Sequence, residues 1–240
     1  MMAQDSILLA VDRLNAFYGP AQVLFDVSLK VNRGEVVALM GRNGAGKSTT
    51  FRAIMGHLRK REGHLYFMGR DINRLATHRI ARLGLGYVPE DRRVFTELTV
   101  TENLEAGRQA PRPGAHTWTT GELFDVFPNL AEMAGRPGGS MSGGEQQMLT
   151  VARTLMGNPY LVLLDEPSEG VSPIIVERMA KMILKLKKQG LAVLLSEQNL
   201  PFANAVSDRA YVLEKGQIRF AGSMEELTSS EGIRRAYLTV

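Results

Sequence analysis

Cysteine is absent from the 240 residues, which excludes disulfides and thiolate metal sites and is compatible with a reducing compartment. Histidine is scarce: His57, His64, His78 and His116 show no pair at metal-ligand spacing, so no zinc site is expected. No apolar run approaches the roughly 18 residues needed to cross a bilayer. The start MMAQDSILLAVDRL lacks the basic region and long apolar segment of a secretory signal, so a soluble chain is expected. Internal repeats, low-complexity tails and the N-K-x-D guanine-recognition motif are missing too. Charge of one sign does not dominate, with Lys+Arg 29 against Asp+Glu 25. A net +4 would suit an acidic partner, but the basic residues are spread out, and the clusters at 58–61 and 185–188 read as solvated faces.

A chain that is 44% hydrophobic and 22% charged fits one large domain, or a domain carrying a lobe. The rest of the chain can be placed around the apolar run VVALM at 36–40, followed at once by GRNGAGKST. The run reads as a buried strand, and residues 49–58 as a helix. The loop between them fits G-x-x-x-x-G-K-S/T, the pattern of a phosphate-binding loop. Gly41, Gly44 and Gly46 let the backbone turn tightly and bring its N–H groups up to phosphate oxygens, with Arg42, Asn43 and Ala45 between them. Lys47 adds a positive charge for the outer phosphates, Ser48 a hydroxyl for magnesium, and the helix start at Thr49 its dipole.

Upstream, two alternating runs within 7–31 read as strands joined at Tyr18-Gly19-Pro20, where Tyr18 either stacks on a base or packs at a turn. Residues 63–72 read as a short strand pair, 77–83 as a helix, and LGYVP as a strand ended by Glu90. Between 91 and 159 the alternation stops. Helical stretches at 100–108 and 123–133, with Pro- and Gly-rich loops, argue for a separate helical lobe. In SMSGGEQQ, residues Ser142, Gly143, Gly144 and Glu145 open a further helix, which reads as an anion-binding terminus or an ordinary cap. LVLLDEP is a central strand delivering Asp165 and Glu166 at its C-terminal end, where ligands of open α/β sheets bind. With a phosphate loop present, Asp165 is expected to hold magnesium through water and Glu166 to orient or deprotonate the attacking water. Residues 174–188 form an amphipathic helix. LAVLLSEQN is another buried strand, ending in Glu197, Gln198 and Asn199, and a strand pair with its turn at Lys215-Gly216 precedes short closing helices.

In their order, Tyr18, GRNGAGKST, VPE, SGGE and LVLLDEP resemble the ATP-binding subunits of ATP-binding-cassette transporters over essentially the full length. VPEDRRVF, MSGGEQQM, DEPSEGVSP and SEQN resemble, more narrowly, the smaller ATPase subunit of branched-chain amino-acid importers. The resemblance implies a P-loop NTPase of ABC type: a mixed α/β core with an antiparallel β-subdomain (1–90 and 159–240) and an inserted helical subdomain (91–158). It implies ATP and Mg2+ as ligands, with Ser48, Asp165 and Glu90 at the metal. It also implies a head-to-tail pair of ATPase subunits in which the signature residues 142–145 cover a neighbour's nucleotide. The other implied partners are membrane permeases, received at residues 91–95, and indirectly a substrate-binding protein. The place is the cytoplasmic face of the inner membrane, with no nucleic acid involved.

Three positions depart from the family pattern. Its metal-touching glutamine is Glu90, its switch histidine is Gln198, and its aspartate after the acidic strand is Ser172. An amide cannot supply a proton or a positive charge, so a competent but tuned ATPase is expected. The alternatives are an exporter, a urea or amide importer, or a soluble ABC protein. The last needs a coiled-coil insertion or two cassettes, for which 240 residues leave no room.

Overall fold

A computed structural model describes residues 6–237. The first five residues of the start compared with a secretory signal, and the last three of the 1–240 domain span, lie outside them.

Within these residues the strands form two sheets. The first is antiparallel, in the order β2-β1-β4-β5, from β1 (Ile7–Tyr18), β2 (Ala21–Asn32), β4 (Lys60–Phe67) and β5 (Arg70–Asp71). The second runs β10-β9-β3-β8-β7-β6, from β3 (Val36–Met40), β6 (Leu85–Val88), β7 (Leu161–Asp165), β8 (Ala192–Glu197), β9 (Arg209–Glu214) and β10 (Gln217–Ser223). Its neighbours pair in parallel except β9 with the edge strand β10.

Alternate residues of the central strands enter different cores. Val36, Ala38, Met40, Val162 and Leu164 join one apolar cluster, and Val37, Leu39, Leu161 and Leu163 join the other. With both faces covered, these strands read as unbroken apolar runs rather than alternating ones. The second cluster lies between the two sheets and takes in Phe51 and Ile54 of α1 (Lys47–Ile54).

Between β6 and β7 the chain is helix and loop, with α3 (Val100–Gly107), α4 (Thr120–Val126), α5 (Pro128–Ala131) and α6 (Gly143–Leu155). Trp118, Leu123, Phe127 and Leu130 share the first cluster with the central strands and with α7 (Pro173–Lys188). The helical segment is therefore packed continuously onto the sheet. The remaining helices are α2 (Thr77–Arg82), α8 (Leu200–Val206), α9 (Met224–Ser229) and α10 (Glu231–Tyr237).

Some boundaries differ from the sequence reading. The helix expected over 49–58 ends at Ile54, and the chain turns at Gly56 with φ +76°. The helix expected over 123–133 is broken at Phe127, whose φ of −124° and ψ of 70° follow from the Pro128 ring, which disfavours helical backbone in the preceding residue.

Candidate functional site

The parallel strands β3, β8, β7 and β6 lie side by side, so the residues that follow them share one edge of the sheet. Met40 pairs with Glu197 and Asp165 with Ser196, and the ladder continues outward through Gly41 N–H to the Glu197 carbonyl at 3.2 Å.

After β3 the chain folds into a cradle. Gly46 has φ +110°, and a Cβ there would lie 2.8 Å from Leu24 Cδ2. At Gly41 a Cβ would fall 2.4 Å from the Leu213 carbonyl oxygen. The turn between β9 and β10 braces the loop, with Gly216 N–H donating to the Ala45 carbonyl at 2.9 Å and Phe25 N–H donating to the Gly216 carbonyl at 2.8 Å. No side chain caps the N-terminus of α1, which leaves its first N–H groups for an anion. Gly44, Gly46, Lys47, Ser48 and Thr49 line a concavity of about 260 Å³ with Val23 and Glu166. Larger grooves exist elsewhere, and chemistry rather than size singles this one out.

Lys47 is buried. Its Nζ donates to the carbonyls of Gly41 at 2.7 Å and Arg42 at 3.1 Å, and pairs with Glu166 Oε1 at 3.0 Å. Asp165 accepts from three hydroxyls: Ser196 at 2.7 Å, Ser48 at 3.0 Å and Tyr87 at 3.1 Å. Burial pushes the Asp165 carboxyl upward, and these hydrogen bonds pull against it. Burial would also raise Glu166, but hydrogen bonding from Glu169 and Lys47, together with the Lys47 charge, holds it below the usual range. Ser196 Oγ additionally accepts the Glu166 N–H at 3.0 Å. Glu197 is buried and accepts backbone N–H groups of Ser168, Gln198 and Asn199, so its role is to pin two loops together.

The oxygen pair of Ser48 and Asp165 fits a hard divalent cation that takes its other ligands from phosphate and water. Among the described residues no group of three or more His, Asp or Glu is placed to cage an ion. Glu90 is exposed beyond β6. Gln198 is exposed and donates toward Asn43 Oδ1 at 3.2 Å. Tyr18 is 42% exposed at the β1–β2 turn and does not line the concavity.

Ser142 is exposed at the start of α6. The Glu145 carboxylate accepts the Ser142 N–H at 2.7 Å, making Glu145 a cap of that helix. Gly144 packs under α7, where an added Cβ would meet Ile175 at 3.0 Å, and at Gly143 it would meet the Arg92 guanidinium at 2.5 Å. The sequence reading did not assign Tyr87, Ser196, Val23 or Gly216 to the site. None belongs to the loop motif: Tyr87 and Ser196 come from β6 and β8 of the parallel sheet, Val23 from β2 of the antiparallel sheet and Gly216 from the β9–β10 turn, so only the tertiary fold collects them.

A cradle of backbone N–H groups, a buried lysine beside it and a carboxylate pair after β7, two strands along the sheet from β3, suit a nucleoside triphosphate and its hydrolysis. The sequence profile of the ABC transporter family matches residues 24–169, more than half of the chain. The chain belongs to the ABC transporter family of ATPases. This cassette is 41% identical to the high-affinity branched-chain amino acid transport ATP-binding protein BraG of Pseudomonas aeruginosa, covering 96% of this chain and 99% of BraG. It is 38% identical to the lipopolysaccharide export system ATP-binding protein LptB of Haemophilus influenzae, covering 96% and 97% of the two chains. Among solved structures, a nucleotide-free cassette from an ABC transporter matches with TM-score 0.80 and 27% identity, covering 95% of this chain and 97% of that one. The ADP conformation of MJ1267, an ATP-binding cassette of an ABC transporter, matches with TM-score 0.78 and 29% identity, covering 92% and 93%. The cassette is thus an ATPase subunit of a transporter, and the P-loop α/β fold expected from the sequence stands.

Proposed function

We propose that the cassette powers a membrane importer of branched-chain amino acids from the cytoplasmic face of the inner membrane. The likeness to BraG over nearly the whole of both chains supports this substrate, and the Lys47–Glu166 contact at 3.0 Å supports the mechanism. Incoming phosphate oxygens draw Lys47 away from Glu166 and leave that carboxylate to take the proton of the attacking water. Ser48 and Asp165 would hold a magnesium ion, with Glu90 as a further oxygen donor, and the ion would supply positive charge to the phosphates. Gln198 reaches the outermost phosphate as a hydrogen-bond donor, and Tyr18 carries the base. Ser142, Gly143 and Gly144 of a second cassette close the nucleotide from above.

The permease is received in a groove of about 550 Å³ beside β6, lined by Tyr87, Phe95, Arg112 and Arg153 among others. Phe95 is half exposed there, with the Arg153 guanidinium 4.6 Å from its ring centre. Of the expected docking segment 91–95, Phe95 alone lines this groove, while Arg93 pairs with Asp91. Among the described residues no helix is long and apolar enough to cross a membrane, so attachment runs through the permease.

The likeness to LptB favours a second reading, a lipopolysaccharide exporter. Purified chain tests the enzyme: Lys47→Ala should lose about 1.5–3 kcal/mol of nucleotide affinity, and Glu166→Gln should abolish turnover. Unaltered values would refute the site. Disruption of the gene tests the substrate: lost leucine, isoleucine and valine uptake supports the importer, and lost lipopolysaccharide export the alternative.

A further inference from the structure

Among the described residues β6 is an edge strand of the parallel sheet, and it forms one wall of the groove of about 550 Å³. Tyr87 pairs in register with Leu163 of β7. Partners in register share a face of the sheet, as do residues two apart along a strand, so Tyr87 lies on the face of Leu163 and Asp165. Its hydroxyl donates to Asp165 Oδ2 at 3.1 Å. Its ring meets Phe51 of α1 edge-on, 6.5 Å between centres, and His57 in the same manner at 5.9 Å. His57 and Tyr87 both line the groove. One aromatic side chain thus touches the nucleotide-site carboxylate with its hydroxyl and the groove with its ring.

The three hydroxyls on Asp165 are not equivalent. Ser196, buried in β8, and Ser48, at the start of α1, both bond Oδ1, at 2.7 Å and 3.0 Å. Among the described residues Tyr87 is the only side-chain donor to Oδ2. Its bond is the longest of the three, and it exceeds the usual ~2.7–2.8 Å for a hydroxyl donor. Tyr87 is also only half-buried, whereas Asp165 is buried. A body entering the groove therefore reaches this ring without disturbing the two serines. Once the Tyr87 bond breaks, the carboxylate is held through Oδ1 alone and turns about its own axis. Hydrogen-bond partners of this kind fix the orientation in which a carboxylate meets a metal ion.

We propose that Tyr87 is a positioning residue that links the groove to the nucleotide site: a body seated in the groove turns the Tyr87 ring, withdraws its hydroxyl from Asp165 and so weakens binding of the magnesium nucleotide. This rests on the reading of Asp165 as a holder of the divalent cation, and the permease is the occupant under the same reading of the groove. Occupancy of an outer wall is thereby felt at the acidic strand through a single side chain.

The absence of cysteine makes the test direct. Ala81 and Ala106 are exposed on opposite walls of the groove, so Ala81→Cys or Ala106→Cys takes pyrene maleimide at one place and fills the groove. Pyrene replaces the permease, and the outcome does not depend on what docks there in the cell. The measurement is calorimetric titration of the full chain with a non-hydrolysable ATP analogue, in magnesium and in EDTA, with thermal unfolding to check that each protein is folded. Tyr87→Phe keeps the ring and loses the hydroxyl, and should lower affinity in magnesium by about 10- to 100-fold while changing it less than about twofold in EDTA. Labelling at either position should lower affinity in magnesium by at least about fivefold. In a chain that also carries Tyr87→Phe, the label should change it by no more than about twofold, because the two changes act through the same bond. A label without effect at both positions, a loss as large in EDTA, or a label effect undiminished by Tyr87→Phe would each overturn the proposal. Asp165→Asn, titrated alongside, separates the two claims. If it weakens binding in magnesium and Tyr87→Phe does not, only the link fails. If it leaves that binding intact, the reading of Asp165 fails.

Discussion

Replacing Glu166 by glutamine removes the charge opposite Lys47 and leaves its shape. In the structure the two side chains are 2% and 7% exposed and 3.0 Å apart, and Lys47 also donates to two backbone carbonyls. The amide oxygen of the variant can still accept a hydrogen bond, so the loss is the difference between a charged and a neutral partner, about 1–2 kcal/mol. For a chain of this size that lowers the unfolding temperature by about 2–4 °C per kcal/mol. In the nucleotide complex Lys47 faces phosphate in both proteins, and the lost contact no longer counts. The free energy missing from the unliganded variant must therefore reappear as tighter nucleotide binding, by about 5- to 30-fold. Calorimetric titration with ADP, which hydrolysis does not complicate, and thermal unfolding of the unliganded protein measure the two halves of this cycle. An unfolding temperature and ADP affinity both equal to wild type would refute the competition between Glu166 and phosphate for Lys47. Weaker ADP binding would refute it more directly.

Other perturbations have equally defined outcomes. Gly216→Ala places a Cβ 1.9 Å from the Val23 carbonyl oxygen at φ +76°, so chemical denaturation should show a loss of at least about 1–3 kcal/mol, and a stability equal to wild type would contradict the bracing of the phosphate loop by the β9–β10 turn. Tyr18→Ala should weaken ATP binding by about 1–3 kcal/mol through lost stacking while leaving inorganic triphosphate binding unchanged; equal losses for both ligands would exclude a base contact. The fold holds Glu169 at about 7, above its usual 4.5, so the unfolded chain releases that proton first. Its contribution to stability is complete below about 4.5 and is lost as the pH rises through about 7. Glu169→Gln does not titrate, so without nucleotide its unfolding temperature should gain on wild type across that range, and parallel curves would contradict the raised Glu169 carboxyl.

The legible parts of the sequence were those whose chemistry is contiguous. GRNGAGKST carries its own strand before it and helix after it, and LVLLDEP shows burial on both faces and its carboxylates in one line of text. The helix Leu200–Val206 was not read. It is short, starts directly after β8, and is marked at its start by Asn199, whose side chain accepts from Phe202 N–H at 3.1 Å. Nor did residues 91–95 reveal which of them would line a groove, since that depends on how α6 packs beneath them.

Order along the chain was enough to point to a phosphate loop, its acidic strand and a run of helices between strands, and to the family, because each is written in neighbouring residues whose spacing follows from strand and helix geometry. The contacts that give those residues their state came only with the tertiary structure. Tyr87, Ser48 and Ser196 meet on Asp165 from three different elements, and Lys47 reaches Glu166 across more than a hundred residues of chain. Hydrogen bonds and charges act over a few ångströms, and proximity across separate strands is set by sheet order and register, which no local pattern in the sequence encodes.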